Sequence, residues 1–278
     1  MCGIVGIASN RPIQDRSWIN SGRAFLNHRG PDDSGEWWSD DGNVGFAHSR
    51  LSIIDLSKSG HQPMLDEERG LAIIFNGEIY NFMDLKERLT KHGYTFKSKS
   101  DTEVILAAFD FWGTECLLHL NGMFAFAIFD GRSKTVFLAR DPAGQKPLFY
   151  HFKNGCLKFA SELKGLLADD TLSKAISPVA LDCYLSMGFI PGNRCILKDF
   201  NKLPPANAMI FDTKNGTSKV WQYWKTPEYV TNSNDFNSKK TELSLLDELE
   251  DLLEDAVGRS MVSDAPLGVL LSGGIDSS

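Results

Sequence analysis

The run Met-Phe-Ala-Phe-Ala-Ile-Phe at residues 123–129 restricts the fold more than any other feature of this chain. It is far shorter than the roughly 20 apolar residues a membrane helix needs. It also lacks the polar alternation of a strand with one wet face. Similar short apolar or aromatic runs stand at residues 71–75, 136–139 and 147–152, flanked by Gly, Asn, Asp or Pro. Such runs predict strands covered on both faces. Residues 128–138 read as a hairpin with its turn near 130–134. Helical spacing recurs at 84–92 and at 102–112, where Val104, Ile105, Ala108 and Trp112 share one stripe. Strands stacked between helices give a layered α+β domain.

With 278 residues, 42% of them hydrophobic, the chain has room for one large or two smaller domains. A net charge of −7 argues against nucleic acid as a partner, because phosphate contacts need clustered Lys and Arg. The five cysteines, at positions 2, 116, 156, 183 and 195, form no metal-binding spacing and suit reduced thiols. The first residues lack a basic signal-peptide region. These features predict a soluble cytoplasmic protein with no membrane partner and no metal ligand set. Composition shifts after residue 212. Residues 213–218 and 230–240 are rich in Asn, Ser, Thr and Lys and read as a linker or mobile loop. Leu245, Leu246, Leu249, Leu252, Leu253, Ala256 and Val257 then recur at helical spacing opposite an acidic face, which predicts a packed helix. Residues 267–271 read as a buried strand leading into Ser272-Gly273-Gly274-Ile275-Asp276-Ser277-Ser278. Glycines and hydroxyls after a strand make a backbone nest for an anion. It is not the GxxxxGK[ST] phosphate loop. The expected division is a first domain at 2–212, a linker at 213–242 and the start of a second domain at 243–278.

Cys2 is the first candidate for chemistry. Removal of Met1 would place an α-amine and a thiol on one residue, a base beside a nucleophile. The plainer reading is a small buried residue opening a strand with Ile4, Val5, Ile7 and Ala8. Four polar clusters interrupt the apolar sequence: 28–32, 50–55, 76–81 and 100–103. Each has a structural explanation of its own. Asn76-Gly77 suits a hairpin turn, Ser100 or Asp101 a helix cap, and Arg50 an ion pair. Together they supply what acyl transfer from an amino-acid amide requires. Cys2 is the nucleophile and its own amine the base. Asn76 and Gly77 offer a side-chain amide and a backbone N–H for an oxyanion. Arg50 suits an α-carboxylate, and Asp101 an α-ammonium.

The segments MCGIVGI, HRGPDDSG, HSRLSIIDLS, HQPM, FNGEIYN, SDTEVIL, GMFAFAIFD, RDPAGQKPLFY, FASELKGLL and GVLLSGGIDSS occur in this order. The chain thereby resembles the glutamine-hydrolysing asparagine synthetase family over essentially its whole length. The resemblance implies an N-terminal nucleophile hydrolase fold, a four-layer αββα sandwich, followed by the first helix and strand of an α/β ATP-pyrophosphatase domain. It implies that Cys2 forms a glutamyl thioester and releases ammonia. Arg50, Asp101 and Glu78 would hold the glutamine, with Leu51, Ser52, Ile53 and Ile54 lining the pocket and Asn76 and Gly77 stabilising the oxyanion. Leu271, Ser272, Gly273, Gly274, Asp276, Ser277 and Ser278 would open an ATP site. In the family, ATP and Mg²⁺ serve the full-length reaction, glutamine hydrolysis needs no cofactor, and aspartate is the default acceptor. Sugar or peptide carboxylates are alternative acceptors, a stand-alone glutaminase is another outcome, and a homodimer stays open. The family's synthetase domain continues well beyond the SGGIDSS loop, so poor order is expected after about residue 240. A different N-terminal nucleophile hydrolase and a non-catalytic module that keeps the fold are the competing readings.

Overall fold

The computed structural model describes residues 1–228 and 241–275. Its strands, in chain order, are β1 (Gly3–Ser9), β2 (Asp33–Trp38), β3 (Val44–Arg50), β4 (Met64–Asp66), β5 (Leu71–Ile79), β6 (Gly122–Asp130), β7 (Thr135–Arg140), β8 (Phe149–Lys153), β9 (Cys156–Ala160), β10 (Phe200–Lys202), β11 (Asn207–Asp212) and β12 (Thr217–Gln222). The helices are α1 (Ser17–Ala24), α2 (Phe82–Lys91), α3 (Asp101–Trp112), α4 (Leu163–Leu166), α5 (Pro178–Met187) and α6 (Glu242–Ser260). The strands form two six-stranded sheets, β10-β8-β9-β1-β3-β2 and β12-β11-β7-β6-β5-β4. Neighbours within each sheet run antiparallel.

β6 shows why these strands read as unbroken apolar runs. Phe124, Phe126 and Ile128 pack outward with Leu85 and Leu89 of α2 and Val104, Ile105 and Ala108 of α3. Ala125, Ala127 and Phe129 point the other way, into a core shared with Ile4, Val44 and Phe46 of the first sheet. A third core joins Val5, Ile7 and Ala47 to Ile19 and Leu166 of α1 and α4. The layers are therefore helix, sheet, sheet, helix, the αββα sandwich. Small residues on the inner face of β6 let the sheets approach, while the phenylalanines fill the helix side. Full burial of one such ring is worth about 1.5–3 kcal/mol.

The structure departs from the sequence reading in several places. The strand expected at 71–75 continues through Ile79, so Asn76-Gly77 lies inside β5 opposite Ala125 and Phe124, not in a hairpin turn. β8 begins at Phe149, beyond Pro147, which has no N–H to offer a ladder. The linker expected from 213 does not begin there: Thr217–Gln222 pairs with β11. Residues 213–216 are its turn, where Asp212 accepts the Lys214 N–H at 2.7 Å and Gly216 takes φ +66. Tyr223 still packs on the domain, its hydroxyl donating to the Arg140 carbonyl at 2.7 Å. Residues 241–242 open α6, and residues 229–240 of that linker lie outside the described residues.

The second-domain expectations need the most correction. Thr241 caps α6 by accepting the Ser244 N–H at 3.3 Å, and a regular helix follows where poor order was expected. Its apolar stripe is not packed: no residue of α6 is buried, and Leu252 is 63% exposed. Residues 267–271 form no strand, and Leu270 is 94% exposed. A strand needs a neighbour for its N–H and C=O groups, and none of the described strands pairs with this segment. Among the described residues, no helix is long and apolar enough to cross a membrane.

Candidate active site

Residues of both sheets line one cleft, a cavity of about 40 Å³. β1 pairs with β3 so that Gly3 opposes Ser49, which sets Cys2 beside Arg50 and Leu51. The Cys2 thiol donates to the Leu51 carbonyl at 3.6 Å and accepts the Leu51 N–H at 3.4 Å. Burial pushes this thiol's pKa up, and the Leu51 contact works against that shift. Met1 precedes Cys2 here, so the chain's terminal amine belongs to Met1; burial lowers its pKa.

β5 brings the second set of groups. Its ladder to β6 dictates where successive N–H groups point, since alternate residues of an antiparallel strand face opposite neighbours. Phe75 N–H turns away from β6 to the Gln62 side-chain oxygen at 2.7 Å, and Ile79 N–H turns the same way to Asp101 Oδ2 at 3.0 Å. Gly77 lies between them, so its N–H shares their direction, toward the cleft it lines. A Cβ on Gly77 would collide with the Met123 carbonyl and come within 2.8 Å of Phe124 Cα, so only glycine fits. The Asn76 side chain is fully buried, yet among the described residues neither its oxygen nor its nitrogen has a hydrogen-bond partner. A buried amide left unpaired costs about 1–3 kcal/mol. Behind it, His48 of β3 bridges the sheets through Nε2 to the Phe75 carbonyl at 3.0 Å. Burial lowers its pKa to about 4, so the ring is neutral and Nε2–H is the donor to that carbonyl.

Two charged residues close opposite sides. Asp101 opens α3, whose N-cap is Ser100, accepting the Thr102 N–H at 3.2 Å. Burial raises the Asp101 pKa to about 7, and the neighbouring Glu78 charge pushes the same way. Burial also raises the Glu78 pKa. Arg50, 5% exposed, donates to the carbonyls of Ser57 at 3.0 Å, Ile54 at 3.3 Å and Asp55. The guanidinium therefore shapes the loop after β3 as well as lining the cleft. Gly60 makes room for it, since a Cβ there would overlap its Nη2.

Of the residues singled out from sequence, Cys2, Arg50, Leu51, Ile53, Ile54, Asn76, Gly77, Glu78 and Asp101 line this one cleft. Ser52 is not among its lining residues; its N–H goes to Asp32 Oδ2 at 2.8 Å. The nest residues Leu271, Ser272, Gly273 and Gly274 do not line it either and are exposed. Asp276, Ser277 and Ser278 lie outside the described residues. Four residues escaped the sequence reading. Arg29 donates from Nε to the Cys2 carbonyl at 2.8 Å and from Nη1 to Glu162 at 2.7 Å. Burial works upward on Glu162, but hydrogen bonds led by Arg29 hold its pKa near about 2. Gln62 and Lys146 also line the cleft, and burial lowers the Lys146 pKa. All four sit in motifs noted for resemblance, but nothing in their spacing announces a place in or behind this cleft. Among the described residues, no group of three or more His, Cys, Asp or Glu is placed to hold a metal ion.

Comparison with known proteins identifies the family and the fold. A family model describing a glutamine amidotransferase domain matches residues 1–224, and one describing asparagine synthase matches residues 248–278. A relative from Methanocaldococcus jannaschii, named among the glutamine-hydrolysing asparagine synthetases, is 38% identical over all of this chain and 56% of its own length. Asparagine synthetase [glutamine-hydrolyzing] 3 of Bacillus subtilis is 36% identical over all of this chain and 44% of its own. The chain thus spans about half the length of the curated relatives it matches. Among solved structures, the glutamine phosphoribosylpyrophosphate amidotransferase of B. subtilis superposes with a TM-score of 0.58 at 20% identity. That match covers 81% of this chain and 50% of the other, and it speaks to the fold alone.

Proposed function

The chain belongs to the glutamine amidotransferase domain family, and on that premise we propose that its cleft hydrolyses the side-chain amide of glutamine through Cys2. With Met1 removed, the Cys2 amine takes the thiol proton and the sulfur attacks the amide carbon. The thiol's burial favours the neutral form, which suits proton transfer to an adjacent base over a standing thiolate. The Asn76 side-chain N–H and the Gly77 backbone N–H receive the developing oxyanion. Collapse expels ammonia and leaves a glutamyl thioester, which water cleaves to glutamate. Arg50 takes the α-carboxylate, Asp101 with Glu78 the α-ammonium, and Leu51, Ile53 and Ile54 the substrate's flank. Arg29 fixes the nucleophile's backbone from behind.

The observation that carries this reading is the Asn76 amide. It is fully buried and, among the described residues, unpartnered on both atoms, in the cleft that Cys2 also lines. Native interiors seldom leave such a group idle, and an oxyanion supplies its missing acceptor. Chain with Met1 removed should release glutamate from glutamine, and Cys2→Ala should abolish that release. Equal rates in the two proteins would end this reading.

The ammonia serves, in this proposal, the ATP-dependent amidation of aspartate, with residues 2–212 as core of the glutaminase and 243–278 as start of the synthetase. The similarity of residues 248–278 to the asparagine synthase family supports it. So does Gly273, at φ +74, the left-handed conformation that lets successive N–H groups converge on a phosphate. Leu271, Ser272, Gly273 and Gly274, with Asp276, Ser277 and Ser278, would hold that phosphate. ATP with Mg²⁺, when bound, supplies activation of the acceptor carboxylate. The free state of all five cysteines suits a reducing cytoplasm.

A further inference from the structure

The segment after α6 reaches back to the glutamine cleft. Asp264 accepts the Asp55 N–H on Oδ2 at 2.8 Å, and its own N–H donates to the Ile53 carbonyl at 2.9 Å. The two partners are 209 residues apart in sequence. The C-terminal segment therefore touches the loop after β3, whose residues Ile53 and Ile54 line the cleft.

The loop it grips is the one that shapes the substrate's carboxylate side. Asp55 takes φ +57, a conformation a non-glycine residue seldom holds without support. Its carboxylate accepts the Ser57 and Lys99 N–H groups, each at 3.0 Å, and the carbonyls of Ile54 and Asp55 accept from Arg50. The Asp55 N–H and the Ile53 carbonyl are the loop's attachments to the C-terminal segment. Any drift of Asp55 moves the carbonyls that aim Arg50, together with Ile53 and Ile54 in the cleft wall.

We propose that Asp264 is a positioning residue for glutamine recognition: it pins Ile53 and Asp55 and thereby aims Arg50. The segment similar to asparagine synthases would then help set the affinity of the amidotransferase cleft. The proposal rests on the amidotransferase reading. It places Asp264 away from the nucleophile and oxyanion groups, so affinity should change while chemistry does not.

The test uses the full chain with Met1 removed, comparing the parent with Asp264→Ala and Asp264→Asn by glutamate release and by hydrogen exchange of the peptide over residues 53–57. In Asp264→Ala, KM for glutamine should rise about tenfold, as for loss of one charge-assisted hydrogen bond, with kcat within about twofold of the parent. Exchange over 53–57 should quicken. Asp264→Asn keeps a side-chain oxygen for the Asp55 N–H, so its KM should return to within about threefold of the parent. An unchanged KM despite faster exchange would overturn the proposal. So would equal damage in the two variants, or a fall in kcat alone. A parent that releases no glutamate would overturn the amidotransferase reading instead, and the exchange data would still report whether Asp264 holds the loop.

Discussion

Asp101 takes up its proton near neutral pH, because burial at the start of α3 raises its pKa to about 7. The sign for binding follows. Above that pH the carboxylate is charged and attracts an α-ammonium; below it the carboxyl is neutral and the attraction is lost. KM for glutamine should therefore rise as pH falls from about 8 to about 5.5, by up to roughly tenfold per pH unit once protonation dominates. Asp101→Asn should show a high KM that is nearly flat over the same range. A parent KM that is level across this range would contradict the role given to Asp101. At this scale the sequence was informative where a residue's chemical type announces its use. Cys2, Arg50, Asn76 and Asp101 each carry a group that an amide-cleaving site needs, and the fold gathers them around one cleft. Arg29 and Gln62 were silent because they act through backbone groups, the Cys2 carbonyl and the Phe75 N–H. No pattern of side chains records such partners.

The strands and helices were legible to the extent that local chemistry decides them. Ser100 capping α3 and the turn after β6 at Asp130-Gly131 follow from residue type, whereas Lys134 at φ +61 does not. β5 was misjudged because Asn-Gly is a turn signal only when nothing else claims it, and here β6 supplies a partner as far as Ile79. The bond from His48 to Phe75 is a second consequence of that pairing, joining β3 to β5 across the inner core. It makes a prediction about stability. His48 ionises near 6.5 when unfolded but only near about 4 when folded. Between these values the unfolded chain binds a proton that the native one refuses, so this residue's contribution falls as pH falls. Asp101 acts with the opposite sign over much of the same window, so the difference between proteins is the useful quantity. Urea unfolding at about pH 7 and about pH 5 should show a smaller acid loss in His48→Gln than in the parent, by roughly 1–2 kcal/mol. An identical loss in the two proteins would mean that His48 is not held neutral.

Among the described residues of the whole molecule, the three cores draw all their buried residues from the chain before β12, while α6 buries none. A chain ending at residue 225 should consequently unfold within about 3 °C of the full one. Its KM for glutamine should rise as it does in Asp264→Ala. A collapse in thermal stability would show that α6 supports the sandwich after all. The second-domain strand was misread for a reason that also belongs to this scale. Residues 267–271 have strand composition, but composition cannot provide a neighbouring strand.

The placement of Asn76 and Gly77 within β5 has a consequence for the reaction itself. Both belong to a continuous ladder that forms when the domain folds, so their ordering is complete before any substrate arrives. The opposite wall is an irregular loop whose shape depends on Arg50, Asp55 and Asp264. One half of the cleft is thus held by a strand ladder and the other by side-chain hydrogen bonds. Substitutions in the loop should then alter how well glutamine is received, while the barrier for cleaving it stays with β5.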